Sequence, residues 1–500
     1  MNAGERRNIL IGRRETALYR DKDKNEITEY DGNPFIEALP SLPEDPEKLI
    51  RLLRYAPIIS KEDQLAGPRA RRHMLGRLKK WIYPTEEYLE FVETFLALIC
   101  AGYEVRNPFD PIAMRRRYLA GGQEIYDMPP LVLSSRTNML TVAGISGCGK
   151  STLTEQTLLL FPQIIEHHEY HGRLFECLQL AWLKFDCPPD GSPRALCQEF
   201  VVALDSVLGT KHRKDFTSRT TKNEYISAMR QLAATYYLGA LVLDEVANLG
   251  AGRGESLETV LNFLLTFTNA IGVPLIFNTV PAGVELLGKT LHNGERAFED
   301  LISVNPFTAG SKTWRSFLTE AMCFQYLPDA QPFLYENTNK IGTYEYDLSC
   351  ALHRASRGIP RIFEHLYAAC QREAMQRQPQ CITPTLVSEV YDMKFKPLHT
   401  ILEHYDRGEL DDYERQMSCA KGFFDNSRRA AAPKMTLTVK NGDPKHVKSS
   451  PVVFVDTEIP VPKGTIPVKP KTDLREAGKV LSPYEWFKAN DHLFEMRSVL

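Results

Sequence analysis

The chain has no apolar run long enough to cross a membrane, no C-x-x-C pair among its ten cysteines and almost no net charge. Each absence excludes something. A spanning helix needs about 20 apolar residues in a row, and no leader with a charged-then-apolar layout opens the sequence. Unpaired cysteine spacing argues against a disulfide framework and for a reducing, cytoplasmic setting; the even spacing of Cys177, Cys187 and Cys197 reads as coincidence. With 61 basic and 63 acidic residues the net charge is −2, so no global field draws the chain to nucleic acid. Contact with DNA would need a local basic patch. Glu166, His167, His168 and His171 lack a second cluster at ligand spacing, so they read as loop histidines rather than a metal site. The hydrophobic fraction of 43% is ordinary for a globular protein, and 500 residues exceed one domain.

What is present is a phosphate-binding pattern. Gly144-Ile145-Ser146-Gly147-Cys148-Gly149-Lys150-Ser151 fits G-x-x-x-x-G-K-[ST] without mismatch. Residues 139–143 before it read as a buried strand, and 152–160 after it as a helix. The glycines turn backbone N–H groups around a phosphate, and the helix start, with Thr152, offers its positive end. Lys150 suits the β- and γ-phosphates, and the Ser151 hydroxyl suits Mg²⁺. The apolar run 238–243 ends in Asp244 and Glu245, a strand buried on both faces that delivers two carboxylates. Asp244 suits the Mg²⁺ water shell, and Glu245 suits polarising an attacking water, which points to ATP hydrolysis. A third strand, 273–278, ends in Asn278 beside Thr279. Asn278 is the candidate sensor of the γ-phosphate; the alternative is a local turn bond.

The rest divides by pattern. Residues 1–80 read as a partly extended, partner-binding arm, proline-punctuated to about 45, with a basic cluster at Arg69, Arg71, Arg72, His73, Arg77, Lys79 and Lys80. Residues 81–129 read as a helical extension: a helix over 86–101 with Leu89, Val92, Leu96 and Ile99 as its apolar stripe and Gly102 as C-cap, followed by Arg115, Arg116 and Arg117. The core, 130–310, alternates strand and helix: a strand over 179–187, a turn at 188–191, helices over 194–208 and 222–237, and a basic loop between them. That pattern predicts an α/β fold, a parallel sheet sandwiched by helices. Residues 311–395 read as a helical lid, with Thr383 and Pro384 starting its last helix, and 396–429 as a helical extension. Residues 430–500 read as a flexible Pro- and Lys-rich tail, ending in an aromatic helix opened by the capping box at Ser482 and Glu485.

Together the P-loop, the Asp-Glu strand, Asn278 and Gly358-Ile359-Pro360-Arg361 resemble an AAA+ P-loop NTPase. The resemblance implies that Arg361 serves as the lid's sensor arginine. It also implies a finger arginine acting across a subunit boundary, with Arg296 the candidate and Arg315 the alternative. Gly102-Tyr103-Glu104-Val105-Arg106-Asn107-Pro108, Phe185-Asp186-Cys187-Pro188-Pro189-Asp190-Gly191-Ser192 and Arg219-Thr220-Thr221-Lys222-Asn223-Glu224 are similar to the TnsC branch of the TnsC/TniB regulators of Tn-seven-like transposons, over about 80–400. That implies a bacterial, DNA-associated ATPase. Its ATP-bound copies would form rings or filaments on double-stranded DNA and link a target-selection protein, met by the arm, to transposase subunits, met by the tail. Lys211, Arg213 and Lys214 are the DNA candidates, with Lys289 and Lys222 as alternatives. Two other readings stand beside it, a helicase-loader or initiator-like ATPase and a nucleotide-switch scaffold without DNA. No winged-helix signature follows the lid, which weakens the initiator reading, and no nuclease-type acidic triad marks the chain as the transposase itself.

Overall fold

The structure is a computed structural model that describes residues 9–20, 27–120, 139–188, 191–216, 220–250, 257–290 and 300–420. All of these lie in one compact unit, Met1–Ala432. The strands described are β1 (Arg14–Thr16), β2 (Met139–Ala143), β3 (Ile164–Tyr170), β4 (Arg173–Leu180), β5 (Trp182–Asp186), β6 (Ala240–Asp244), β7 (Leu275–Thr279) and β8 (Leu301–Ser303). The helices are α1 (Pro34–Glu37), α2 (Pro46–Leu53), α3 (Lys61–Leu65), α4 (Pro68–Met74), α5 (Glu86–Glu104), α6 (Pro111–Ala120), α7 (Lys150–Leu160), α8 (Pro193–Leu208), α9 (Lys222–Thr235), α10 (Leu257–Ile271), α11 (Pro281–Thr290), α12 (Lys312–Met322), α13 (Tyr344–Ser356), α14 (Pro360–Ala374), α15 (Pro384–Lys394), α16 (Lys396–Asp406) and α17 (Leu410–Cys419).

The larger sheet has the order β5-β6-β7-β2-β8 and is parallel throughout. Its strands are apolar runs because helices cover both faces. Alternate residues part to opposite sides. Leu140, Val142, Val242 and Ile276 pack with Phe91, Phe95 and Ile99 of α5 and with Leu153 of α7. Leu241, Leu243, Leu275 and Phe277 pack with Leu196 and Phe200 of α8 and with Leu264 and Phe267 of α10. This is the α/β fold expected, and the lid helices α12 to α15 follow the sheet in the chain. No helix among the described residues is long and apolar enough to cross a membrane.

Several expectations need correction. The strand expected over 179–187 is two strands broken at Ala181. β4 joins a small sheet of order β1-β3-β4, and β5 forms the edge of the large one. The stripe on α5 is rotated: Tyr88, Phe91, Phe95 and Tyr103 are buried with Val92 and Ile99, while Leu89 and Leu96 are half-buried. Gly102 lies inside α5 rather than capping it, where a Cβ would stand 2.9 Å from Pro274 Cδ. The arm is not merely extended. β1 pairs in parallel with β3, and Phe35, Ile36 and Leu39 enter the main core. Within the basic cluster, Arg71 is buried and donates to the carbonyls of Ala66 and Tyr326 and to Gln380 Oε1.

The histidines read as loop residues are not in a loop: His167 and His168 lie on β3, and His171 follows that strand at the turn into β4. His167 Nε2 meets Gln179 Oε1 at 2.8 Å, and its Nδ1 meets the Tyr19 hydroxyl at 2.8 Å. Of the arginine triplet, Arg117 donates to Ala234 O and lies 4.2 Å over the Tyr237 ring, so it caps a neighbouring helix, while Arg115 is exposed. The aromatic helix expected near the C-terminus and the turn residues Pro189 and Asp190 lie outside the described residues.

Candidate functional site

The carboxyl ends of parallel strands are where a doubly covered sheet leaves a crevice. Here β2 hands the chain to the glycine loop, which opens α7. Gly147 has φ +98, a left-handed backbone, and a Cβ on it would stand 3.0 Å from Ile359 Cγ2 and 3.3 Å from Arg361 Cβ. A side chain there would be strained by the backbone and would crowd the lid. Cys148 is buried and its thiol is pushed up to about 12 by burial, so it acts as packing and not as a nucleophile. Gly149 is the N-cap of α7, and Ser151 and Thr152 are exposed on the helix's first turn at the cleft. Lys150 Nζ donates to the carbonyls of its own loop, Gly144 at 2.6 Å and Ile145 at 3.1 Å. Burial holds its pKa below the ordinary lysine value, against the pull of Glu414, Cys148 and Asp244.

Register puts the acidic and amide residues in one row. Asp186 pairs with Asp244, and Leu243 pairs with Phe277, so Asp244 and Asn278 follow at the same level on adjacent strands. Asp244 is buried. Burial alone would raise its carboxyl, but the Lys184 ammonium at 3.0 Å, the Ser151 hydroxyl and the Glu245 N–H hold it below the ordinary value. Glu245 stands in the left-handed region at φ +55, with its N–H donated to Asp244 Oδ1 at 2.9 Å and its side chain exposed at the cleft. A non-glycine residue there is strained by about 1–3 kcal/mol, strain of a kind that gathers at functional sites. Asn278 makes no local turn bond through its Oδ1; that oxygen accepts from Thr154 Oγ1 at 3.0 Å. Its Nδ2 is buried with no partner, as is the Thr279 hydroxyl, and both residues line the cleft.

The lid closes the far side. Pro360 and Arg361 begin α14, and the Arg361 N–H donates to Gly147 O at 3.1 Å. The resulting cleft has a volume of about 1280 Å³, and Lys150, Asp244, Glu245, Asn278 and Arg361 line it. The other candidates fall elsewhere. Arg315, on α12, lies 5.4 Å from the Tyr335 ring centre and is not among the cleft's lining residues. Arg296 lies outside the described residues, and so does the Lys289 side chain. Lys211, Arg213 and Lys214 are exposed on a short turn that Asp205 anchors by accepting from the N–H groups of His212 and Arg213, both at 2.8 Å. Lys222 starts α9 half-buried.

Several residues escaped sequence reasoning. Lys184, on β5, bridges Glu155 at 2.9 Å and Asp244 at 3.0 Å. The signal for it was a lone lysine in the apolar run of Trp182, Leu183 and Phe185. Asp186 is pushed up to about 6, first by burial and then by Asp244, Glu245 and Glu155, against the pull of Lys184. From α17, Glu414 reaches Ser146, and Tyr413 donates its hydroxyl to Ser146 O at 2.9 Å. Nothing local marks those two residues in the sequence. The cleft thus offers what a nucleotide polyphosphate needs: a glycine loop opening a helix N-terminus, a lysine, an unpartnered amide and an arginine-bearing lid. Ser151 Oγ and the Asp244 carboxylate form an all-oxygen donor set that fits Mg²⁺ keeping part of its water shell.

Residues 133–287 match the model of a family described as AAA domain. No curated protein matches the chain. Among solved structures it is similar to the ORC2 protein of Aeropyrum pernix in its ADPNP-ADP complexes, at 10% identity over 64% of this chain and 82% of that one, with a TM-score of 0.33. It is also similar to the Walker-type ATPase paby2304 of Pyrococcus abyssi, at 15% identity over 54% and 71%, TM-score 0.31. PCH-2 of C. elegans follows at 10% identity over 61% and 69%, TM-score 0.29. The glycine loop, the Asp244-Glu245 strand end and Asn278 all fall within 133–287, and the chain carries an AAA domain with the P-loop α/β fold.

Proposed function

We propose that the chain is an Mg²⁺-dependent ATPase that assembles on duplex DNA in its ATP state and regulates DNA transposition. In this reading it joins a target-selection protein to transposase subunits. One observation carries the nucleotide part: Lys150, Asp244, Glu245, the unpartnered Asn278 amide and Arg361 line a single cleft. Mg²⁺ held near Ser151 and Asp244 would supply charge neutralisation at the terminal phosphates. The protein's own groups do the rest. Glu245 is the base that orients a water, Lys150 leaves its loop carbonyls for the phosphates, and Asn278 Nδ2 and Arg361 bond the terminal phosphate. A finger arginine from a neighbouring copy would complete the site, which ties assembly to the phosphate state.

The transposition part rests on three sequence stretches, each with a physical job. Tyr103 donates to Tyr237 O, and the Arg106 guanidinium donates to Leu238 O just before the strand begins. The Cys187 N–H donates to Asp244 O at 2.8 Å. Thr221 and Glu224 form the capping box of α9. Two of the three stretches therefore brace the Asp-Glu strand, and the third starts the helix that precedes it in the chain. Assembly along DNA repeats one weak basic patch, which gives avid binding without a basic monomer.

The test is fluorescence anisotropy of a labelled random-sequence duplex, titrated with Mg²⁺ and a non-hydrolysable ATP analogue and then with ADP. Cooperative, salt-sensitive binding with the analogue alone is the expected result. Assembly that ignores DNA would favour the nucleotide-switch scaffold, and loading only with a helicase present would favour the loader reading.

A further inference from the structure

Glu414 occupies the glycine loop as an anion would. Its Oε1 accepts the Ser146 N–H at 2.7 Å, and its Oε2 accepts the Ser146 hydroxyl. The neighbouring Tyr413 is buried and donates to Ser146 O at 2.9 Å, so two consecutive residues of α17 hold the N–H, hydroxyl and carbonyl of one loop residue. Among the charged groups that pull on Lys150, Glu414 acts more strongly than Asp244, and it lines the cleft with Arg361. Lys150 meanwhile points back to Gly144 O and Ile145 O. The groups that should receive a polyphosphate are therefore already engaged, one set by a carboxylate and the other by the loop's own carbonyls.

The segment carrying Glu414 is tied to the lid's sensor. α16 and α17 form a hairpin in which His404 joins Glu409 at 2.5 Å through Nδ1 and Gln416 at 2.9 Å through Nε2. Asp406, at the end of α16, pairs with Arg357 at 2.6 Å. Arg357 is the left-handed C-cap of α13, four residues before Arg361. Any shift of the hairpin is thus felt at the turn that aims Arg361.

We propose that Glu414 stands in for the terminal phosphate of a nucleoside triphosphate, so that α17 latches the glycine loop and a triphosphate must expel it. The inference rests on reading the cleft as a nucleotide site. A carboxylate and a terminal phosphate cannot share the one Ser146 N–H, because like charges brought that close repel strongly. A diphosphate lacks the phosphate that Glu414 displaces, so it meets far less opposition. The latch then biases the free protein toward ADP or no nucleotide, and its release reports ATP to the lid through Asp406 and Arg357.

The test uses the full chain with Mg²⁺, fluorescent ADP and a fluorescent non-hydrolysable ATP analogue. Variants are Glu414→Gln, the milder Tyr413→Phe, and Lys150→Ala as the control for the site. Glu414→Gln is expected to tighten the triphosphate about ten-fold, a 1.4 kcal/mol effect, and the diphosphate by less than about two-fold. Tyr413→Phe should move the triphosphate the same way by a smaller factor. Hydrogen exchange of 396–419 should speed up when the triphosphate analogue is added to the wild type. Unchanged triphosphate affinity in Glu414→Gln, with Lys150→Ala still abolishing binding, overturns the latch and leaves the nucleotide site standing. Continued protection of α17 in the triphosphate complex also overturns it. No nucleotide binding by any variant overturns both the latch and the site.

Discussion

Lys184 shows how much of the site depends on one side chain. Its ammonium is 3% exposed and lies between Glu155 and Asp244. Burial alone would lower its pKa, but the two carboxylates outweigh that and raise it. Lys184→Met would leave Asp244 buried without a cation, and breaking such a pair costs about 3–5 kcal/mol. The expected result is a large drop in the urea midpoint, partly restored when Asp244→Asn is added, since the stranded charge is then gone. Asn278 gives a second prediction. Asn278→Ala removes a preorganised donor, so turnover should fall about 10²-fold, with ADP affinity changed by less than about two-fold. At this scale the sequence was readable where chemistry is local. The loop glycines, Lys150 and Ser151 are neighbours in the chain. Lys184 was visible as a charge in an apolar strand, but its partners come from α7 and β6, and no spacing rule links them. Glu414 lies 268 residues from Ser146, beyond any local pattern.

Elements differ in how plainly their patterns announce them. β2, β6 and β7 were readable because each is an apolar run with polar or glycine residues at its end. α5 was misread because apolar residues at 88, 89, 91, 92, 95, 96, 98 and 99 allow two stripes, and only tertiary packing chose Phe91 and Phe95. The stretch 179–187 was misread because a break at Ala181 leaves the apolar pattern intact while the strand changes sheets. β3 and β5 also set opposite pH effects. Burial pushes His167 down to about 4 from 6.5. The unfolded chain therefore takes up that proton first, and the stability His167 contributes, up to about 3 kcal/mol, is full above pH 6.5 and lost toward pH 4. Asp186, raised from 3.8 to about 6, has the reverse sign: its contribution is full below pH 3.8 and is lost as pH rises to 6. His167→Gln should remove the first slope and expose the second. Denaturant midpoints of that variant should therefore fall between pH 4 and 6, where the wild type rises or stays flat.

Across the whole molecule, the N-terminal segment is part of the core and not an accessory. Phe35 is fully buried, Asn33 Nδ2 donates to Tyr103 O, and Glu37 accepts from the Tyr170 hydroxyl. Removing residues 1–39 would expose Phe35's pocket and strip β1 from β3. The expected outcome is loss of the cooperative thermal transition and aggregation on size-exclusion chromatography, not a soluble ATPase lacking only a partner contact. Proline spacing could not foretell this, because burial of Phe35 depends on contacts with Tyr103 and Tyr237 far along the chain.

In the proposed function one cleft binds ATP and Glu245 drives its hydrolysis. The most direct measurement is phosphate release alongside equilibrium ATP binding for the wild type, Lys150→Ala and Glu245→Gln. The wild type should bind ATP and release phosphate, Lys150→Ala should do neither, and Glu245→Gln should bind ATP without releasing phosphate. Phosphate release by Glu245→Gln at the wild-type rate would contradict it.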